Sequence, residues 1–239
     1  MALQRPTIVL FDMDGTTVRH LNPALLSVLE TLDDAAHKIA GAVSRFLRRK
    51  IDRPPLVGFQ GGRRRKLLVH RAMHKIRRKE VDEIVEPCPG IYAILDLLRQ
   101  KGVRMGLISN GLGKGYGHDI LKTFDLAGYF DATIFREDIR RAKPWPDPLL
   151  QALAALETPP GANDVVWYIG DRRKDVLAAL AAAKHLPCPV VPLAYGLNAA
   201  LAALENNLDL DHVFMAWPDI EPKLKALLGE GPQAKVTAC

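Results

Sequence analysis

The stretch that most constrains this chain is a short apolar run that ends abruptly on acids. Thr7 to Phe11 reads Thr-Ile-Val-Leu-Phe and is followed at once by Asp12-Met13-Asp14-Gly15-Thr16. An uninterrupted run of this length, rich in β-branched residues, predicts a strand buried on both faces of a parallel sheet. The pattern returns at Met105 to Ile108, ending at Ser109, and at Val165 to Ile169, ending at Gly170-Asp171. Weaker strand candidates are Ala132 to Phe135, Val190 to Leu193 and His212 to Met215. Between them lie helical stretches at Ile91 to Gln100, Gly117 to Phe124, Pro148 to Leu156 and Asp175 to Lys184. Strands alternating with helices predict an α/β fold with a parallel sheet. Open sheets of this kind bind ligands beyond the carboxyl ends of their strands. Three strands that each end in polar residues therefore point at one shared site.

Residues 17–86 break the rhythm. Asn22-Pro23 reads as an N-cap followed by proline at the first helical position. Leu25, Leu29, Leu32, Ala36, Ile39, Val43 and Phe46 then recur at helical spacing toward Lys50. A Pro- and Gly-containing loop follows, and then a second helix from Arg64 to Lys79. This predicts a helical insertion over 17–86, with residues 1–16 and 87–239 forming the core. The insertion is strongly basic: residues 41–80 hold 14 Lys/Arg against Asp52 and Glu80, in a chain whose net charge is +6. Such a cluster suits an anionic partner, either nucleic acid or an anionic membrane surface. A solvated helix face, with the apolar side packed in the insertion, is the simpler account, and the low aromatic content argues against base stacking.

The chemistry rests on acids. Two carboxylates two residues apart, Asp12 and Asp14, can hold a metal or divide nucleophile and acid/base roles. A phosphate brought beside them would be repelled, at about 4 kcal/mol per pair of like charges roughly 4 Å apart in a medium of effective dielectric near 20. A cation is therefore required, and Mg²⁺ fits carboxylate and phosphate oxygens best. Asp171 and Asp175, one helical turn apart, add two further acids after the third strand. Ser109-Asn110-Gly111 offers a hydroxyl and backbone N–H groups that could bind a phosphoryl oxygen. Gly113, Gly115 and Gly117 follow with Lys114 among them, in a spacing that excludes a Walker loop. Lys143, in Lys143-Pro144-Trp145-Pro146, is a cation in a stiff loop and can neutralise a phosphoryl oxygen or pair with the nucleophile.

These residues, in this order, resemble the four motifs of the haloacid dehalogenase superfamily, in the branch similar to phosphoglycolate phosphatases. Asp12 and Asp14 match the first motif, Ser109 the second, Lys143 the third, and Asp171 with Asp175 the fourth. The resemblance implies a Rossmann-like core, with the 17–86 insertion as a helical cap over the site. It implies a Mg²⁺-dependent phosphatase acting through an aspartyl-phosphate. Asp12 would be the nucleophile and Asp14 the acid/base. Ser109, Asn110, Gly111 and Lys143 would bind the phosphorylated substrate. Asp12, the Asp14 carbonyl and Asp171 would hold the metal, with Asp175 as a further ligand or beside the ligands. A phosphomutase would use the same core residues, whereas a dehalogenase would lack Asp14. The absence of any long apolar run, and of a leader-like N-terminus, predicts a cytoplasmic protein whose Cys88, Cys188 and Cys239 are reduced.

Overall fold

The computed structural model describes residues 3–21 and 81–229. The helices expected over residues 22–79, and with them the basic cluster and its anionic partner, lie outside the described residues, as does Cys239. The chain divides into two compact units, Met1–Arg19 with Val85–Cys239, and His20–Ile84.

The first unit is built on a parallel sheet. Its strands are β1 (Ile8–Asp12), β4 (Arg104–Ile108), β5 (Ala132–Ile134), β6 (Val166–Gly170), β7 (Val190–Tyr195) and β8 (Val213–Phe214). Their order across the sheet is β5-β4-β1-β6-β7-β8, and every pairing is parallel. Two short strands, β2 (Val18–His20) and β3 (Val85–Pro87), form a separate two-stranded sheet where the chain leaves and re-enters the core.

All five residues of β1 are buried, as are all five of β6. Alternation along β1 sends Ile8 and Leu10 to one face and Val9 and Phe11 to the other. Ile8 and Leu10 join a core with Ile108, Ile134, Val166 and Tyr168 that is covered by α3 (Asp147–Ala154) and α4 (Arg173–Ala182). On the opposite face the Phe11 ring lies 5.8 Å from that of Trp217, at the start of α6 (Trp217–Gly229). There α1 (Ile91–Gln100) buries Ile91, Ile94, Leu95 and Leu98, the three-and-four spacing of an amphipathic helix. Among the described residues the two remaining α-helices are α2 (His118–Thr123) and α5 (Gly196–Glu205). Among the described residues no helix is long and apolar enough to cross a membrane. Cys88 and Cys188 are buried free thiols.

This layout places the ends of β1, β4 and β6 side by side. Asp12 pairs in register with Ile108, and Phe11 with Ile169, so the residues that follow each strand emerge at one edge.

Candidate active site

The turn after β1 is held by its own backbone. The Met13 carbonyl accepts from the N–H groups of Thr17 and Val18, and Gly15 N–H donates to the Val18 carbonyl at 2.7 Å. The Thr17 hydroxyl donates to the Asp12 carbonyl at 2.8 Å, and the Trp217 indole N–H donates to the Thr16 carbonyl at 3.0 Å. Gly15 has φ +90°, and a Cβ there would run into the Asp171 carboxylate. Glycine is thus demanded twice, by backbone conformation and by the close approach of the acid that follows β6.

Four of the expected side chains converge beneath this turn. Asp12, Lys143 and Asp175 are almost wholly buried. The Lys143 ammonium donates to Asp12 Oδ1, to Asp175 Oδ1 at 2.7 Å and to the Tyr168 hydroxyl at 2.9 Å. These three partners match the three N–H donors of a lysine ammonium. The Tyr168 hydroxyl in turn donates to Asp175 Oδ1 at 3.0 Å, and Asp175 Oδ2 accepts from the Arg172 N–H at 3.1 Å. Carboxylate oxygens of Asp12, Asp171 and Asp175 all lie within 4.8 Å of one another. Two acids thus pair with one lysine, and a third, Asp171, lies beside them with Arg172 at 3.7 Å. Burial, opposed by Lys143 and reinforced by Asp175 and Asp171, pushes the Asp12 carboxyl up to about 8. Burial and the neighbouring Asp175 raise Asp171 to about 6. For Lys143, burial favours the neutral amine, but Asp12 and Asp175 more than reverse this, and its pKa lies above the usual lysine value.

Asp14 stands in different surroundings. Its Oδ2 accepts from the Ser109 hydroxyl at 3.1 Å and its Oδ1 from the Tyr116 hydroxyl at 2.6 Å. The Ser109 oxygen also accepts the Gly111 N–H at 2.9 Å. The Asn110 amide faces neither acid. Its Nδ2 donates to the Lys143 carbonyl at 3.3 Å, and its Oδ1 accepts the Lys143 N–H at 3.1 Å. Asn110 therefore fastens the tip of β4 to the backbone of the Lys143 loop.

Two site residues escaped the sequence reading. Tyr168 sits in an apolar strand, where its only signal is that a buried tyrosine hydroxyl requires a partner. Tyr116 lies in the Gly-rich loop after β4, where nothing in its spacing singles it out.

A metal fits this donor set. Asp171 Oδ1 is buried and has no hydrogen-bond partner, and carboxylate oxygens of Asp12, Asp171 and Asp175 lie close enough together to share one ion. Asp175 already accepts from Lys143, Tyr168 and Arg172 N–H, so Asp12 and Asp171 have the freer oxygens.

Comparison with known proteins agrees with this architecture. A phosphoglycolate phosphatase of Escherichia coli (strain K12) is 31% identical over 147 residues, which make up 62% of this chain and 54% of that protein. Another, from Shigella boydii serotype 4 (strain Sb227), is 29% identical over 169 residues, 69% of this chain and 63% of that one. The matched stretch thus spans less than two thirds of the length of these curated relatives. The crystal structure of a HAD-superfamily hydrolase from Ehrlichia chaffeensis superposes with a TM-score of 0.57 at 20% identity, covering 95% of this chain and 100% of that one, a likeness of fold. The model of the family described as haloacid dehalogenase-like hydrolase matches residues 9–185, from the second residue of β1 to just past α4, and the chain belongs to that family.

Proposed function

We propose that the chain is a Mg²⁺-dependent phosphatase that hydrolyses a small phosphomonoester, of the phosphoglycolate type, through an aspartyl-phosphate on Asp12. The observation that carries this reading is the division of labour between two aspartates two residues apart. Asp12 lies among Lys143, Asp171 and Asp175, whereas the Asp14 carboxyl is held by two hydroxyl groups.

In the first step an Asp12 carboxylate oxygen attacks phosphorus. The bond from phosphorus to the leaving oxygen breaks, and Asp14 gives that oxygen its proton. In the second step Asp14 takes a proton from water, whose oxygen attacks phosphorus. The bond to Asp12 breaks and free phosphate leaves. Ser109 and Lys143 hold phosphoryl oxygens during both steps. Asp12, Asp171 and the Asp14 carbonyl would hold the metal, with Asp175 beside them. Bound there, Mg²⁺ would offset the repulsion between carboxylate and phosphate. Asp175 and Tyr168 keep the Lys143 ammonium aligned on Asp12.

The test is phosphate release from an aryl phosphate and from phosphoglycolate, with Mg²⁺ and with excess chelator. Mg²⁺ should support release and chelator should abolish it. Asp12→Asn should leave neither turnover nor an acid-stable, alkali-labile phosphoenzyme. Full activity in chelator, or full activity of Asp12→Asn, would overturn the reading. An isomerised sugar phosphate formed with little free phosphate would assign a mutase instead.

A further inference from the structure

We propose that Tyr116 is a positioning residue for Asp14, holding its carboxyl by one oxygen for the proton transfers of both chemical steps. The inference rests on the reading of Asp14 as the acid/base. It starts from the way the two Asp14 oxygens are bound. Oδ1 takes the Tyr116 hydroxyl at 2.6 Å and Oδ2 takes the Ser109 hydroxyl at 3.1 Å. A serine hydroxyl has a single hydrogen to donate. If Ser109 is to hold a phosphoryl oxygen, that hydrogen must pass from Asp14 Oδ2 to the substrate. The Tyr116 hydroxyl takes no part in that exchange and stays on Oδ1. The anchored oxygen fixes the plane of the carboxyl that gives a proton to the leaving group and later takes one from water.

The loop that carries Tyr116 is built to hold it. The Gly113 and Lys114 N–H groups donate to Glu137 Oε2 and Oε1, each at 2.9 Å, so one carboxylate clamps the start of the turn. The Gly117 N–H donates to the Leu112 carbonyl at 3.1 Å, closing the turn around Tyr116. The Arg136 N–H donates to the Gly111 carbonyl at 2.8 Å, tying the same loop to the segment after β5. His118, just beyond the turn, packs edge-on against Phe135 with ring centroids 4.7 Å apart. The tyrosine hydroxyl is thus delivered from a turn braced on both sides, and not by a side chain resting on the surface by chance.

The experiment compares Tyr116→Phe with the parent on two substrates, an alkyl phosphate such as phosphoglycolate and an aryl phosphate whose phenol leaves without a proton. The reported quantity is kcat/KM, which covers the steps up to departure of the leaving group. A positioned acid/base contributes about 10²–10⁴-fold, and loss of its anchor removes part of that. Tyr116→Phe should lower kcat/KM for the alkyl phosphate about tenfold and for the aryl phosphate by a clearly smaller factor. In an Asp14→Asn background the same change should have no further effect on either substrate. Equal losses on both substrates, no loss on the alkyl phosphate, or a full additional loss in the Asp14→Asn background would each overturn the proposal while leaving the phosphatase reading intact. A parent enzyme that releases phosphate from neither substrate overturns that reading and the proposal together.

Discussion

The Lys143 ammonium and Asp175 Oδ1 lie 2.7 Å apart, in a place where neither group reaches water. Lys143 is the shared cation of Asp12 and Asp175, and Tyr168 completes its set of partners. Removing one member of a buried ion pair leaves a charge without compensation and costs about 3–5 kcal/mol. Lys143→Met keeps most of the apolar stem and should lower the stability of the metal-free protein by roughly that amount at neutral pH. Tyr168→Phe removes one hydroxyl from the same cluster and should lower it by about 1–3 kcal/mol. Denaturant unfolding in chelator checks both. A Lys143→Met midpoint equal to that of the parent would mean that the lysine does not hold the cluster together.

The raised carboxyls give the metal-free protein a definite pH dependence. Asp12 titrates near 3.8 when unfolded and near about 8 when folded, mainly through burial, and Asp171 moves from 3.8 to about 6 for the same reason. Between those limits the folded state binds more protons than the unfolded state. Stability therefore falls as pH rises, by at most about 1.4 kcal/mol per pH unit for each group. The stability these protons confer is complete below about pH 4 and gone above about pH 8. A metal needs the carboxylates deprotonated, so Mg²⁺ should act against this trend. Thermal melts in chelator and in Mg²⁺ should show a Tm gain from the metal that is larger near pH 8 than near pH 5. A gain that is constant or larger at the acid end would contradict this assignment of the site.

The strands that build the site were readable because both faces of a central parallel strand are buried. Ile8–Asp12, Arg104–Ile108 and Val166–Gly170 are nearly continuous apolar runs that stop where the chemistry begins. The helix α1 was readable because one face alone is apolar. The helices α5 and α6 were not read from sequence, each for a physical reason. Leu197, Leu201 and Leu204 of α5 are exposed while Ala199, Ala200, Ala202 and Ala203 are buried, so apolar residues surround the helix and no stripe stands out. The helix α6 carries Pro218 and Pro222, residues that argue against a helix interior, yet Trp217, Ile220, Leu224 and Leu228 anchor it to the core. In the site, acids and lysine at strand ends announce themselves by charge. Tyr168 and Tyr116 do not, because a tyrosine in an apolar strand or a glycine-rich turn has no local pattern that reveals where its hydroxyl points.

Gly15 links the backbone of the first motif to the acid of the fourth. Its φ of +90° is unfavourable for any residue with a Cβ, and an added methyl would displace the Asp171 carboxylate. Gly15→Ala should therefore act on the metal more than on the fold. A stability loss of about 1–3 kcal/mol is expected from the backbone strain. The Mg²⁺ concentration for half-maximal activity should rise about tenfold or more, as happens when groups supporting metal ligands are disturbed. A Mg²⁺ titration of phosphate release checks this. An unchanged half-maximal concentration beside a large loss of stability would show that the methyl is absorbed elsewhere.

Asn110 offers the sharpest separation of a positioning role from direct contact with substrate. It is expected among the substrate-binding residues through the backbone N–H groups of its segment, and both ends of its side-chain amide engage the Lys143 backbone, at 3.1 and 3.3 Å. Lys143 reaches Asp12 only if its own backbone is held, and small displacements of a catalytic group can lower the rate by orders of magnitude. Asn110→Ala should therefore lower kcat about tenfold with little change in KM. Asn110→Asp should be worse than alanine. Its carboxylate would still face the Lys143 N–H, but its second oxygen would meet the Lys143 carbonyl where the amide now donates. Like partial charges would then oppose each other in a half-buried place, and about 1–3 kcal/mol of stability should be lost. Steady-state kinetics on an aryl phosphate and denaturant midpoints for both variants give the comparison. A raised KM with kcat preserved would return Asn110 to direct contact with the phosphoryl group. An aspartate variant as stable as the alanine one would mean that the second oxygen finds water in place of the Lys143 carbonyl.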